Sequence, residues 1–126
     1  MHKWANIIIG FAALAGAAGV MESAANAHSV ANPLLKTSAD ILIVNAAAVI
    51  GISGYALARV QRSALAGAAV LLAGTLLFCG ELSSHVFLGR RLLVLAAPIG
   101  GTFMIAGWLI VAVGAFVGLA RSASRG

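Results

Sequence analysis

Long apolar segments separated by short polar stretches make up most of the chain. The four segments cover residues 4–27, 33–58, 64–88 and 92–120. A transmembrane helix needs about 20 predominantly apolar residues, and each segment is long enough. The pattern therefore predicts an all-α protein, in which residues 1–126 form a single domain, an integral membrane four-helix bundle.

The fourth segment is longer than one span requires, and it contains a proline. Pro98 is followed by Ile99, Gly100 and Gly101. Proline removes a helical hydrogen bond and glycine weakens a helix, so this sequence favours a break or a kink near Pro98. We expect residues 92–97 to form a separate turn or half-helix, and the spanning helix proper to begin near Pro98.

The beginning of the chain also resembles a secretory signal. Met1-His2-Lys3 is a basic start before an apolar run, and Ala25-Asn26-Ala27 has the form of a cleavage site. The apolar run of about 18 residues exceeds the length of about 7–15 that is typical of signal peptides. We therefore interpret this segment as the first transmembrane helix.

Composition supports membrane insertion and excludes two other classes of protein. Hydrophobic residues make up 62% of the chain and charged residues 9%. So few charged groups cannot cover the surface of a small soluble domain, and disorder requires low hydrophobicity. The formal net charge of +5 does not indicate nucleic acid binding, because the arginines occur singly or in pairs and form no basic stripe.

Positive charges are unequally divided between the two ends of the expected bundle. With four spans, one end carries Lys3, Arg59, Arg62, Arg121 and Arg125. The other end carries Lys36, Arg90 and Arg91 together with all three acidic residues, Glu22, Asp40 and Glu81. Loops rich in lysine and arginine stay in the cytoplasm. This division predicts that both termini are cytoplasmic.

Small residues recur along the expected helices and indicate close helix packing. In lipid, glycine lets helix backbones approach closely, and dispersion replaces the hydrophobic driving force. The candidate packing positions are Gly67, Gly74, Gly100, Gly101, Gly107, Gly114 and Gly118. Two uses stay open for them: packing within the bundle, and docking onto another chain.

Five polar residues are expected near the non-cytoplasmic boundary of the bilayer. They are Glu22, His28, Asp40, Glu81 and His85. At 1.5 Å per residue, Glu22 and Glu81 lie about 26–27 Å along their helices from the cytoplasmic end. A carboxylate at such a depth is costly unless it is paired or hydrated. We expect Glu22, His28 and His85 to approach one another and contact a partner chain or a cation. The alternative is that each points separately into water or headgroups.

Two starts are open for the second helix. Thr37 and Asp40 have the spacing of a capping box. Asn32-Pro33 instead supplies an N-cap followed by a proline at the first helical position, in which case Lys36 pairs with Asp40 at i, i+4. Deeper in the same helix, Asn45 is expected to donate an interhelical hydrogen bond.

The sequence contains no recognisable catalytic or metal-binding motif. A Ser/His/Asp set, an H-E-x-x-H motif and a phosphate-binding loop are all missing, so no catalytic residue is predicted and the chain is not expected to be an enzyme. The lone cysteine, Cys79, allows neither an intrachain disulfide nor a CxxC site. No cofactor is predicted. A metal stays an open alternative, because imidazole and carboxylate ligands together suit zinc, iron or copper(II).

The last third of the chain carries the most specific motif. Residues 98–108, with the sequence PIGGTFMIAGW, resemble the P-I-G-G-x-x-F-I-x-G-W signature of the family called domain of unknown function 423. Residues 78–82 are similar to its F-S-G-S-L motif. The resemblance implies a small four-helix membrane protein of bacterial inner membranes, with relatives in mitochondria. Ile41, Asn45 and Glu81 stand where the family has tyrosine, histidine and serine, so the roles of those family residues are not transferred.

These features favour an accessory or structural subunit that packs against a larger membrane protein complex. The expected partners are the lipid bilayer and other membrane subunits, and no nucleic acid. The expected location is the bacterial inner membrane, with the mitochondrial inner membrane as the alternative. Two other functions stay open. One is a small oligomeric transporter; the other is a metal-linked or redox-linked protein that uses His28, His85 and the nearby carboxylates, with haem bound by the two histidines as a variant.

Overall fold

The computed structural model describes residues 1–29, 31–90 and 95–125. These residues contain four α-helices: α1 (His2–His28), α2 (Pro33–Arg59), α3 (Arg62–Leu88) and α4 (Ala96–Arg125). Each helix is long and apolar enough to cross a membrane. The predicted all-α four-helix bundle is therefore confirmed. Helices α1, α2 and α3 have 27 residues each, which is about 40 Å, so their ends extend beyond a hydrocarbon core of about 30 Å.

Helix α2 begins at Asn32-Pro33. The side-chain Oδ1 of Asn32 accepts a hydrogen bond from the backbone N–H of Leu34 at 2.9 Å, and Pro33 occupies the first turn, where its missing N–H is not needed. Lys36 Nζ lies 2.8 Å from Asp40 Oδ2, and both side chains are exposed. Asp40 is thus the partner of Lys36, and the capping-box alternative is wrong.

Left-handed residues end α2 and α3. Val60, with φ of 51°, follows α2, and the N–H of Gln61 donates to the carbonyl of Ala56 at 2.9 Å. Gly89, with φ of 71°, follows α3, and its N–H donates to the carbonyl of His85 at 3.1 Å. Both residues terminate their helices in the manner of a left-handed C-cap, which favours glycine.

The helices pack in sequence order and form an open bundle. Extensive contacts join α1 to α2, α2 to α3 and α3 to α4, whereas α1 and α3 touch over few residues. The central core consists of small and medium-sized side chains, among them Ala12, Val49 and Leu71. Large apolar side chains on α4, such as Trp108 and Phe116, face outward. This exposed apolar surface is consistent with contact with lipid.

Glycines bring the backbones of α3 and α4 into direct contact. A Cβ atom added at Gly74 would lie 2.6 Å from the carbonyl oxygen of Gly100, and one added at Gly107 would lie 2.6 Å from the backbone nitrogen of Leu71. Because these neighbours are backbone atoms, a side-chain rotation cannot relieve the overlap. Gly67 lies in the same interface, one heptad before Gly74, with a Cβ position 3.1 Å from the carbonyl oxygen of Gly107.

The other three candidate glycines differ in their surroundings. A Cβ atom at Gly114 would lie 2.7 Å from Oγ of Ser63, and one at Gly118 would make an ordinary contact with Gln61. No atom lies within 4 Å of a Cβ position at Gly101, so Gly101 does not pack closely against another helix of this chain, and its use in docking onto another chain stays a prediction. Adjacent residues lie about 100° apart around a helix, so Gly100 and Gly101 cannot both face α3.

Pro98 marks the start of α4 and does not interrupt it. The helix begins at Ala96, which puts Pro98 in the first turn, where backbone N–H groups have no intrahelical acceptor and proline is tolerated. The prediction that the spanning helix begins near Pro98 therefore agrees with the structure. Of the expected separate turn, residues 92–94 lie outside the described residues, and residues 96–97 already belong to α4.

Candidate functional site

A buried carboxylate joins α1, α2 and α3 through hydrogen bonds to two serines. Glu22 of α1 is only 9% exposed. The hydroxyl of Ser38, on α2, lies 2.9 Å from Oε1 and 3.2 Å from Oε2 of Glu22. The hydroxyl of Ser83, on α3, also donates to Oε1, and it lies 3.2 Å from the hydroxyl of Ser38. Glu22 therefore receives one hydroxyl from each of the two neighbouring helices.

Cys79 closes this cluster on its inner side. Its thiol donates to the backbone carbonyl of Ser38 at 3.5 Å, and the hydroxyl of Ser38 lies 3.5 Å from the carbonyl oxygen of Cys79. Cys79 is buried, with 2% exposure. These contacts tie α2 to α3 at the level of Glu22.

The cluster lies within the membrane-spanning part of the helices. Glu22 is about seven residues, or about 10 Å, from the middle of α1. Ser38 and Ser83 are about eight residues, or about 12 Å, from the middle of their own helices. A helix centred in the bilayer has about 15 Å of hydrocarbon on each side of its middle. The cluster is therefore just inside the edge of the hydrocarbon.

An apolar groove runs between α1 and α3 and has Glu22 in its wall. Its volume is about 520 Å³, and we call it the α1/α3 groove. It is lined by Ala15, Ala18, Met21, Glu22 and Ala25 of α1, by Leu42 of α2, and by Leu76, Cys79, Gly80, Ser83 and Phe87 of α3. The groove exists because α2 lies between α1 and α3, which have few contacts of their own. Its distinguishing chemical feature is the Glu22 carboxylate beside the Ser83 hydroxyl, in a wall that is mostly apolar.

The two histidines expected beside Glu22 are not among its hydrogen-bond partners in the part of the chain that the structure describes. His28 is exposed as the last residue of α1, about 9 Å further along the helix than Glu22. His85 is partly buried near the end of α3. In the described part of the chain, the hydrogen bonds to Glu22 come from Ser38 and Ser83. The hydrogen bonds from Ser38 and Ser83 hold Glu22 toward α2 and α3, and an approach of the two histidines to Glu22 stays a prediction.

The two remaining acidic residues differ in exposure. Asp40 is exposed and paired with Lys36, whereas Glu81 is buried, with 6% exposure. Among residues 1–29, 31–90 and 95–125, no group of three or more His, Cys, Asp or Glu side chains is arranged to hold a metal ion.

A second buried polar contact crosses the middle of the bundle. Asn45 Nδ2 donates to Oγ1 of Thr75 at 3.0 Å and lies 3.2 Å from Sδ of Met104. The hydroxyl of Thr75 donates to the carbonyl of Leu71 at 2.7 Å. Asn45 thus contacts both α3 and α4, which confirms its predicted role as an interhelical hydrogen-bond donor.

Three polar residues with interhelical contacts are not singled out by the sequence analysis. Ser38 lies five residues after the start of α2, and Ser83 lies five residues before the end of α3. The sequence therefore does indicate that both serines lie at about the same depth in the membrane as Glu22. Gln61 precedes α3, and its Nε2 donates to the carbonyl of Gly114 on α4 at 2.7 Å. This last contact has no sequence signal, since the two residues are far apart in the chain.

These observations define the chain as a small multi-pass membrane protein of four helices with a buried carboxylate. It belongs to the family described as "Protein of unknown function (DUF423)", whose model matches residues 11–101. The match covers most of the chain, and it confirms the family resemblance noted in the sequence. Residues 102–108 of the PIGGTFMIAGW motif lie beyond the matched range. No curated protein and no solved structure matches the chain.

Proposed function

We propose that the chain is an accessory subunit of a larger membrane protein complex and that the α1/α3 groove receives a transmembrane helix of a partner. The position of Glu22 carries this proposal. Glu22 is a buried carboxylate in the groove wall, and centring α1 in the bilayer puts it just inside the edge of the hydrocarbon. Ionisable groups at this depth usually face a partner or a pathway rather than lipid. A partner helix with a cationic or hydrogen-bonding side chain fits this wall better than a lipid tail.

The hydrogen bonding of Glu22 leaves room for such a side chain. An ionised carboxylate has about four acceptor positions. Ser38 and Ser83 supply two hydroxyl donors. A lipid tail carries no hydrogen-bond donor, whereas a partner helix can place a donor at the remaining acceptor positions of Glu22.

The small residues of the groove support a helix as the occupant. Ala15, Ala18 and Ala25 lie on one wall and Gly80 on the other. Small residues let helix backbones approach closely in a membrane, where dispersion and interhelical hydrogen bonds drive association. The proposed complex belongs to the bacterial inner membrane, with both termini of this chain in the cytoplasm, as the charge distribution and the family resemblance suggest. The proposal includes no catalytic step and no cofactor.

Blocking the groove tests the proposal. Gly80 lines the groove and no atom lies within 4 Å of its Cβ position, so we expect Gly80→Leu to fill the groove without moving the backbone. Gly101→Leu is the matched control, because Gly101 is equally open but lies on α4, outside the groove. We expect extraction in mild detergent and native mass spectrometry to show at least about a fivefold loss of partner for Gly80→Leu, from an overlap of about 1–3 kcal/mol, and no loss for Gly101→Leu. Equal retention in both variants would contradict the proposal.

Removing the carboxylate charge is the second test. We expect Glu22→Gln to lower partner retention by about tenfold or more, because hydrogen bonds to charged groups contribute about 1.5–3 kcal/mol. Asp40→Asn is the control, since Asp40 is exposed and paired with Lys36. Retention unchanged by Glu22→Gln would exclude Glu22 from the interface.

A small oligomeric transporter is the second candidate, and the depth of Glu22 favours it. Glu22 lies six residues before the end of α1, just inside the edge of the hydrocarbon when α1 is centred in the bilayer. Acidic residues inside membranes often mark cation pathways. The purified chain in liposomes should then transport a lipophilic cation in exchange for protons that flow down an imposed gradient. Glu22→Gln should abolish this transport, and Asp40→Asn should not. Absence of transport by the reconstituted wild-type chain would remove this candidate.

A further inference from the structure

A second groove lies at the opposite end of the molecule, between the start of α3 and the second half of α4. Its volume is about 730 Å³, and we call it the α3/α4 groove. Leu109, Ile110, Val113 and Val117 form its apolar wall on α4. Arg62, Ser63 and Arg121 form its polar rim. The groove is therefore amphipathic along its length.

The rim is strongly positive. Arg59 and Arg125 line an adjoining groove that shares Arg121, so four arginines surround this end of the molecule. The three acidic residues of the chain lie near the end of α1, the start of α2 and the end of α3, all at the other end of the bundle. No Asp or Glu side chain of the sequence therefore neutralises these arginines.

The start of α3 adds to this positive field. Gln61 is its N-cap but makes no capping hydrogen bond through its side chain, which donates to the carbonyl of Gly114 at 2.7 Å instead. The first backbone N–H groups of a helix have no intrahelical acceptor, and they favour an anion together with the helix dipole. Arg62 and Ser63 are the first residues of this helix and also belong to the groove rim.

The dimensions of the groove match one leaflet of a bilayer. Its lining on α4 extends from Leu109 to Arg121, about 18 Å of helix. One leaflet contributes about 15 Å of hydrocarbon. An acyl chain along the apolar wall therefore brings a headgroup to the level of Arg121. A free anion would use the rim alone and leave the apolar wall without a ligand.

We propose that the α3/α4 groove binds an anionic phospholipid. Its phosphate lies between Arg62 and Arg121, and one acyl chain lies along Leu109, Val113 and Val117. Guanidinium groups bind phosphate through charge-assisted and often bidentate hydrogen bonds. Basic pockets between transmembrane helices suit such headgroups. This site is separate from the α1/α3 groove, so the proposed lipid site does not depend on the proposed partner helix.

Lipid titration followed by native mass spectrometry tests the headgroup. The purified full chain is titrated with phosphatidylglycerol or with phosphatidylcholine of the same acyl chains. We expect preferential retention of phosphatidylglycerol, and a decrease of about fivefold for Arg62→Gln and for Arg121→Gln. Lys3→Gln is the control, because it removes one charge from the same end outside the groove, and it should retain lipid like the wild type. Equal retention of the two lipids, or an equal loss in Lys3→Gln, would overturn the proposal.

A second variant tests the acyl chain. Gly118 lines the groove next to Val117, and a Cβ atom there makes only an ordinary contact with Gln61, so we expect Gly118→Leu to occupy groove space without moving the backbone. We expect it to reduce phosphatidylglycerol retention, with Gly101→Leu as the unaffected control, and inorganic phosphate not to displace the lipid. Displacement by inorganic phosphate together with unchanged retention in Gly118→Leu would show a site for a free anion and contradict the proposal.

Discussion

Asn45 donates its hydrogen bond at the middle of the bundle, where water does not compete. Its partner Thr75 belongs to α3. Interhelical hydrogen bonds in membrane proteins contribute about 0.6 kcal/mol on average and up to about 1.7 kcal/mol. We expect Asn45→Leu to lower the free energy of unfolding in detergent by about 1 kcal/mol, measured by denaturant titration.

Ser53 supplies the matched control for Asn45. Its hydroxyl is buried and has no hydrogen-bond partner among the described residues. Ser53→Ala removes a buried polar group without removing such a bond, so we expect no loss of stability. If Asn45→Leu and Ser53→Ala had the same effect, the bond between Asn45 and Thr75 would contribute nothing to the fold.

Residues with local signals could be predicted, and residues whose partners lie on other helices could not. Asn32-Pro33, one of the two starts that the sequence leaves open, begins α2, and Gly89 ends α3 through its own backbone preference. Glu22 was predictable as a polar residue near the membrane boundary. Its bonds to Ser38 and Ser83 depend on how α2 and α3 are rotated about their axes, which no local pattern specifies.

At the scale of elements, the interface of α3 and α4 depends on the missing side chains of glycine. We expect Gly74→Ala to destabilise the protein by about 1–3 kcal/mol, because its Cβ would lie 2.6 Å from backbone atoms of α4. Gly101→Ala has open space, and alanine favours a helix over glycine, so this control should be neutral or stabilising. Thermal unfolding in detergent compares the two. Equal melting temperatures for the two variants would show that α3 and α4 accommodate a methyl group at Gly74 without loss of stability.

The start of α4 yields a second prediction at this scale. Pro98 lies in the first turn, where the helix does not need its N–H, so Pro98→Ala should change stability by less than about 0.5 kcal/mol. Ala112→Pro, in the interior of the same helix, should cost about 3 kcal/mol or more. Circular dichroism during denaturation measures both changes. A large effect of Pro98→Ala would indicate that the proline interrupts the helix after all.

The four apolar segments predict the elements well because helix length follows directly from hydrophobic length. The choice of interface is harder to predict. Gly100 and Gly101 are chemically equivalent in the sequence, and only the rotation of α4 against α3 decides that Gly100 is in contact. The open arrangement of α1 and α3, which creates the α1/α3 groove, has no sequence signal at all.

At the scale of the whole molecule, four spans put the two ends of the chain on one face of the membrane and the connection between α1 and α2 on the other. Cysteines introduced as Ser29→Cys and Ser124→Cys should therefore react with an impermeant thiol reagent from opposite faces, with Ser124 on the cytoplasmic side. Native Cys79 is buried, so it should contribute little background labelling by the thiol reagent. Reaction of both positions from the same face would contradict the span count or the orientation.

Site-specific photocrosslinking in native membranes tests the proposed partner helix most directly. Benzoylphenylalanine replaces Phe87, which lines the α1/α3 groove, or Phe116, which is exposed on α4 away from that groove. We expect position 87 to give one discrete protein adduct that Glu22→Gln removes, and position 116 to give lipid adducts. The same adducts from both positions, or lipid adducts alone from position 87, would contradict a partner helix in the α1/α3 groove.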